Sequence, residues 1–459
     1  MKEISSWAAG RVAVLLVLLV LPLASCATYR ARPIHPEDTA RALAGRRLSN
    51  PRLLRFIQVE ERRAGPPRWN LKTLTLVATY ERPDMRLATA QLGVAKAREI
   101  IAAELPNPTL SLQPSYDTTT TVPSPWKVGP VVSFLIQSLG ERRALKARAR
   151  AQAEAARQAI AITAWQLRGT VRTALLRLWS AKRTVSLSAQ RRALASQYQS
   201  ALAQRYRAGM VSAAILNSAT LAQEQAQLGL SADQRTLRLA RAGLATGLGL
   251  PVRALRGVHL DMAGISRPRE PGELGPLIHA ALIRRPDVLV ALARYRAAEA
   301  ELKLAIAQQY PSLDIGPGYR YDQGDNKFIL AVSLPLPILN QNQGRIAEAR
   351  AARHLAAERF LAVQARVLAQ IERAQADWRA SVAELANARH VRASAAEMQG
   401  RRRVEFAAGQ IGRLRLLGAE EAFVQAERGA LTASVDDRDA LGKLEAALYH
   451  PFLVPAESR

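Results

Sequence analysis

One cysteine, Cys26, occurs in the whole chain. A single thiol excludes any intramolecular disulfide and every structural zinc site built on several cysteines. The histidines His35, His259, His279, His354, His390 and His450 never stand four residues apart, so no pair of imidazoles shares a helix face, and no metal site is expected. Aromatic residues are only 5% of the chain while apolar residues reach 49%. The surplus is therefore aliphatic, above all alanine, a composition that favours long helices. P-loop, dinucleotide-binding and Ser-His-Asp patterns are absent, so neither an enzyme nor a cofactor is expected. The formal net charge of +27 would ordinarily point to nucleic acid or an anionic surface. Its basic residues are scattered along nearly every helical run, with no zinc-finger spacing, RNA-recognition motif or basic zipper, which argues against nucleic acid.

Beyond residue 23 nothing approaches 18 consecutive apolar residues, so no transmembrane helix is expected there. Any membrane passage must then use β-strands. At the start of the chain, Lys2 and Arg11 precede a short apolar run from Val12 to Leu23. That run is too short to span a bilayer and suits the core of a signal peptide. Leu23-Ala24-Ser25-Cys26 resembles a bacterial lipobox, which implies a signal peptide over 1–25 and covalent lipid on Cys26. Ala27, where an Asp would retain the protein at the inner membrane, resembles the sorting signal for the outer membrane. The alternative is an ordinary secretory signal with a chance cysteine near the cut.

The rest of the chain is written twice. Pro83-Asp84 matches Pro286-Asp287, and the run from Pro108 to Leu112 matches that from Pro311 to Ile315, both at an offset of 203 (286 − 83; 311 − 108). Ser133 matches Ser333, and Tyr206 to Gly209 matches Phe406 to Gly409, both at an offset of 200 (333 − 133; 406 − 206). So long a period is a duplicated half, not a solenoid unit. Each half opens with Pro and an acid in the first helical turn and stops at a later proline. Alternation of period two follows. Leu110, Leu112 and Tyr116 share one face, then Val128, Val132, Phe134 and Ile136; the second half has Leu313, Ile315, Tyr319 and Tyr321, then Phe328, Leu330, Val332 and Leu334. These predict two β-hairpins whose strands, near ten residues, suit a tilted membrane crossing. Proline-free runs from about Glu141 to Tyr206 and Arg345 to Phe406 predict rods of roughly 90–100 Å, with Leu167, Val171, Leu175 and Leu178 as an apolar stripe. Each rod turns at a glycine, Gly209 or Gly409, and returns as a shorter helix. The leading and returning helices together nearly equal the rod, so they can pair with it along its length.

The domain reading is a signal peptide at 1–25 and an anchor and collar segment at 26–80. A first repeat covers 81–248, with its hairpin near 108–137 and its tip near 206–212. A collar linker covers 249–284. The second repeat covers 285–448, with its hairpin near 311–337 and tip near 406–412, and a tail covers 449–459. Four strands cannot close a barrel, and bare strand edges in lipid are too costly to persist. Copies of the chain must therefore share strands, as a dimer with 8 or a trimer with 12. The fold class expected is mainly α with membrane β.

"LPNPTLSL", "YPSLDIGPGY", "VSLPLPILNQNQGRIAEARA", "LATGLGLPV" and the tips "YRAGMVSAAIL" and "FAAGQIGRLRLL" together resemble TolC-like outer-membrane efflux proteins, from about Leu71 to Leu448. The closest likeness is to the lipid-anchored members that serve resistance–nodulation–division pumps. The resemblance implies a homotrimer with a 12-stranded β-barrel continued by an α-helical barrel. It implies a passive exit duct in the outer membrane of a Gram-negative bacterium, reaching an inner-membrane pump through a periplasmic adaptor. It also implies that the tip residues Tyr206, Arg207, Gly209, Ser212, Phe406, Gly409 and Gly412 touch the adaptor, although the glycines equally serve the turn itself. Some relatives carry pore-lining acids six and nine positions after the second tip glycine. Here those positions are Arg415 and Gly418, a departure that weakens any cation-binding constriction. Arg415 is either a lumen-facing, anion-preferring residue or a solvated outer-face residue. Glu420, Glu421 and Glu427 are expected to be solvated or paired four residues away along their own helix. A conduit for type I protein secretion and a non-conducting coiled-coil spacer are the alternatives; bilayer-length hairpins speak against the spacer.

Overall fold

The computed structural model describes residues 28–62, 65–119, 124–266 and 271–452. Cys26 and the leader 1–25 lie outside them, as does most of the C-terminal tail. Contacts divide the chain into two units, 1–46 and 47–459, a boundary inside the anchor and collar segment. The first unit holds α1 (Pro36–Ala44), which starts on a proline with Glu37 and Asp38 in its first turn and buries no residue.

The second unit runs through α2 (Pro51–Glu61), α3 (Leu71–Glu81), α4 (Pro83–Ile101), β1 (Thr109–Leu112), β2 (Ser115–Tyr116), β3 (Trp126–Val128), β4 (Pro130–Ile136), α5 (Glu141–Arg207) and α6 (Ala213–Leu248). A 3₁₀ turn (Val252–Leu255) and the short α7 (Ala263–Ser266) lead to α8 (Leu274–Arg284), α9 (Pro286–Ala307), β5 (Leu313–Asp322), β6 (Asp325–Ser333), α10 (Gln343–Ala407) and α11 (Arg413–Leu448). At 67 and 65 residues, α5 and α10 are rods of roughly 100 Å. The predicted stripe Leu167, Val171, Leu175 and Leu178 is buried.

Arg-Pro-Asp explains how the leading and returning helices join. The Arg285 guanidinium donates to both carboxylate oxygens of Asp287, at 2.9 and 2.7 Å, and to the Ala447 carbonyl at the end of α11, at 2.7 Å. Arg82 does the same more loosely, reaching Asp84 at 2.7 Å and the Thr246 carbonyl of α6 at 3.4 Å. Each arginine thus satisfies a terminal carbonyl of one helix while clasping the first turn of the next. Proline alone supplies the helix start; the arginine supplies the splice. Arg285→Ala should cost about 2–3 kcal/mol and Arg82→Ala about 1, a ranking that urea unfolding of the two variants checks.

The collar is split between the repeats. Leu53, Ile57, Leu74 and Val77 of α2 and α3 pack with Val171, Leu175, Leu244 and Leu248 of the first repeat. Ala281 and Phe452 pack instead with Val367, Ile371, Leu441 and Leu444 of the second. A polar seam joins the repeats across α5 and α11. Arg168 pairs with the buried Glu445, and Arg172 donates to the Arg438 carbonyl. Arg438 in turn donates to the carbonyls of Ile265 and Ser266, at 2.8 and 2.6 Å, with Trp179 beneath it.

The six strands form one antiparallel sheet. β1 and β2 are segments of one broken strand, β3 and β4 of the next, interrupted at 113–114 and at Gly129. The second hairpin is continuous, with ten and nine residues. The break in the first hairpin differs from the expected ten-residue strands; Pro114 lacks the N–H that a ladder needs, and Gly129 sits where β5 crosses closely. Across the sheet the order is β1/β2, β4/β3, β5, β6. The helices repeat it: α4 packs on α5, α5 on α9, and α9 on α10. Each strand is joined to the helix at the same place in that order, through 102–108, 137–140, 308–312 and 334–342.

Candidate functional site: the helical tips and the strand face

At the first tip the Gly209 N–H donates to the Tyr206 carbonyl at 2.9 Å and the Met210 N–H to the Arg205 carbonyl at 2.8 Å. The second tip repeats this at Gly409 to Phe406, 3.0 Å, and Gln410 to Glu405, 2.9 Å. Gly209 and Gly409 have φ of +72° and +74°, so both turns are glycine-terminated helix ends of one design. Ser212 and Gly412 are extended residues ahead of the returning helices, and neither caps with a side chain. A Cβ at Gly209 would meet nothing within 4 Å, so its φ is the sole obstacle to substitution. Gly209→Ala should cost about 1–2 kcal/mol and should speed amide exchange in the tip while leaving global unfolding unchanged.

The two tips lie together. Arg413 donates to Gln197 of α5 at 2.7 Å and stands 5.8 Å from the centre of the Phe406 ring. Tyr206, Arg207, Gly209, Ser212, Phe406, Gly409 and Gly412 are all exposed. Met210 and Val404 are 72% and 71% exposed beside them; sequence reading passed over both, although a methionine directly after a turn glycine was the available signal. Arg415 and Gly418 are exposed one helical turn apart, with Leu416, Leu417 and Ala419 buried between and beside them.

The acids of α11 differ from expectation. Glu420 pairs with Arg403 of α10 at 3.4 Å, Glu421 with Arg191 of α5 at 2.9 Å, and Glu427 with Arg392 of α10 at 4.0 Å. Their ion pairs tie neighbouring helices together, although Glu421 also accepts from Gln425 along its own helix at 3.0 Å. Among the described residues no group of three or more His, Cys, Asp or Glu side chains is placed to hold a metal.

At the other end of the helices the register sorts the strand residues onto two faces. Leu110, Leu112 and Tyr116 share a face with Trp126, Val128, Val132, Phe134 and Ile136, and through the pairs Phe134–Ile315 and Val128–Tyr321 with the odd-numbered residues of β5. Phe328, Leu330 and Val332 of β6 complete it, exposed by 90%, 66% and 60%. The opposite face is mixed: Ser111, Lys127, Ser133, Gly316, Gly318, Arg320 and Asp322 share it with Val131, Leu135, Ile329 and Ala331, and Lys327 pairs with Asp322 at 2.7 Å. Tyr116 with Trp126 and Tyr319 with Phe328 gather aromatic rings toward the hairpin turns.

The chain is similar in structure to a membrane protein from Pseudomonas aeruginosa (21% identity, TM-score 0.67, covering 82% of this chain and 93% of that one). It is likewise similar to the outer membrane protein VceC of Vibrio cholerae (18%, 0.67, 83% and 96%) and to CusC, described with transmembrane channel formation (19%, 0.65, 84% and 95%). No curated protein matches it by sequence. The profile of the outer membrane efflux protein family matches residues 77–250 and 277–448, one span over each repeat. The chain belongs to that family, the outer membrane efflux proteins, whose members are channels and not enzymes.

Proposed function

We propose that the chain is one subunit of a homotrimeric duct, anchored in the outer membrane by lipid on Cys26, through which small molecules or ions leave the cell. The carrying observation is the shared order of strands and helices. An open sheet with an apolar face leaves β1/β2 at one edge and β6 at the other, and the edges differ, so contact between copies is head-to-tail and closes only as a ring. Three copies supply 12 strands (3 × 4), and because the helices keep the strand order, the ring that closes the sheet closes the helices too. The apolar face with its aromatic band then meets lipid, and the opposite face, which carries Lys127, Arg320 and Asp322, lines the passage. The exposed tips contact a periplasmic adaptor and, through it, an inner-membrane pump of the resistance–nodulation–division type; the duct itself is passive.

Light scattering of the detergent-solubilised protein should give three copies, and planar bilayers should record discrete conductance steps. A monomer without conductance, with its strands open to water-borne labels, removes the duct and leaves the spacer reading. Arg415 is assigned to the lumen side of the tip constriction, where three copies favour anions. Arg415→Asp should move the reversal potential in a KCl gradient toward cation preference. An identical potential in both proteins places Arg415 on the outer surface.

A further inference from the structure

Of the four places where a strand meets a helix, one is built differently. Between β4 and α5 lies a groove of about 780 Å³. Leu105, Ile136 and Leu139 form its apolar edge, exposed by 67%, 50% and 94%. Ile136 is the last strand residue on the apolar face, and the two leucines stand exposed beyond the strand ends. Directly beyond them stand Arg142, Arg143 and Lys146, on the first two turns of α5. Arg142 donates to the Ala103 carbonyl at 2.5 Å, while its buried Nε has no hydrogen-bond partner. The side chains of Arg143 and Lys146 take part in no hydrogen bond or ion pair among the described residues. The nearest acid in α5, Glu141, is occupied by Ser138 at 3.2 Å and Gln308 at 3.1 Å; Glu104 is exposed on the preceding connection.

Cations in the first turns of a helix face the positive end of its dipole and are disfavoured there. The helix gains nothing from them, so an external anion is the partner that rewards their placement. The corresponding turns of α10 carry Arg345 with Glu348 and no such cluster. We infer that this groove binds one anionic phospholipid per chain, from the leaflet on the helical side of the membrane. Its phosphate sits against Arg142, Arg143 and Lys146, and its acyl chains lie along Leu105, Ile136, Leu139 and the apolar strand face. This rests on the outer-membrane reading above. Free phosphate has no use for the leucines.

The full-length protein, delipidated in detergent and offered equal phosphatidylglycerol and phosphatidylcholine, should retain phosphatidylglycerol preferentially by native mass spectrometry, at one copy per chain. With two cations lost, Arg143→Gln with Lys146→Gln should weaken that retention roughly 30-fold, while Arg143→Lys with Lys146→Arg should keep it. Equal retention of the two lipids by the wild type, or undiminished preference in the glutamine variant, overturns the inference. Displacement of the lipid by millimolar inorganic phosphate overturns the lipid as occupant. A trimer that conducts without lipid preference refutes this site alone; a chain that neither assembles nor conducts removes the duct and this site with it.

Discussion

Gly129→Val should yield a chain that keeps its helical circular dichroism and loses the assembled, conducting oligomer. A Cβ at Gly129 would overlap the Tyr319 carbonyl oxygen and lie 2.6 Å from the Arg320 Cα and 2.8 Å from the Tyr319 carbonyl carbon. All three atoms belong to the backbone of β5, so no side-chain rotation relieves the overlap; the strands must part. The seam has no slack on its other side. A Cβ at Gly318 would come within 2.8 Å of Val131 Cγ2 and 2.9 Å of the Pro130 carbonyl. Parting this seam separates the two hairpins, whose register runs from Lys127–Asp322 to Ile136–Leu313. In hydrocarbon each exposed backbone group costs several kcal/mol, so the loss of even a few pairs is enough to keep the parted sheet out of the bilayer. Gly229→Ala is the control, since a Cβ there meets nothing within 4 Å. An unheated gel and a bilayer recording read the outcome, and a Gly129→Val oligomer indistinguishable from wild type contradicts it.

Glu445→Ala should destabilise the chain by about 3–5 kcal/mol, the usual loss when one partner of a buried ion pair is removed. Glu445 is 1% exposed, and its second oxygen also accepts from the Phe452 N–H at 3.3 Å. Burial pulls the pKa of its partner Arg168 down from the ordinary arginine range to about 10, so it remains a cation at neutral pH. Without the carboxylate that charge has no other ion pair among the described residues. Arg168→Met with Glu445→Leu removes both charges and should recover most of the loss. Urea unfolding measures all three proteins, and a loss below about 1 kcal/mol for Glu445→Ala would show that solvent already reaches Arg168.

Features governed by local period were legible in the sequence. The stripe from Leu167 to Leu178, the glycine turns and the alternation of Leu110, Leu112 and Tyr116 each depend on neighbours a few residues away. Partnerships between distant segments were not. Arg191 meets Glu421 across 230 positions, a pairing that only the packing of α5 on α11 creates, so the expected pairing along one helix misdirected those acids. Arg82 and Arg285 stood in plain view inside a repeated motif, yet their role depends on helix ends that arrive more than 160 residues later. Division of the collar into two cores was hidden for the same reason. At the tips the turn was readable, whereas the exposure of Met210 and Val404 depends on where the second hairpin lies.

The four joints between sheet and helices are unequal. The inner strands β4 and β5 pass to α5 and from α9 through four and five residues (137–140, 308–312), the outer β1 and β6 through seven and nine (102–108, 334–342). In the proposed trimer, torque applied at the far ends of the rods passes through the short joints into the middle of each subunit and is absorbed by the longer joints at its margins, where one copy borders the next. On that proposed assembly, the duct untwists below the membrane while its wall within the bilayer stays sealed.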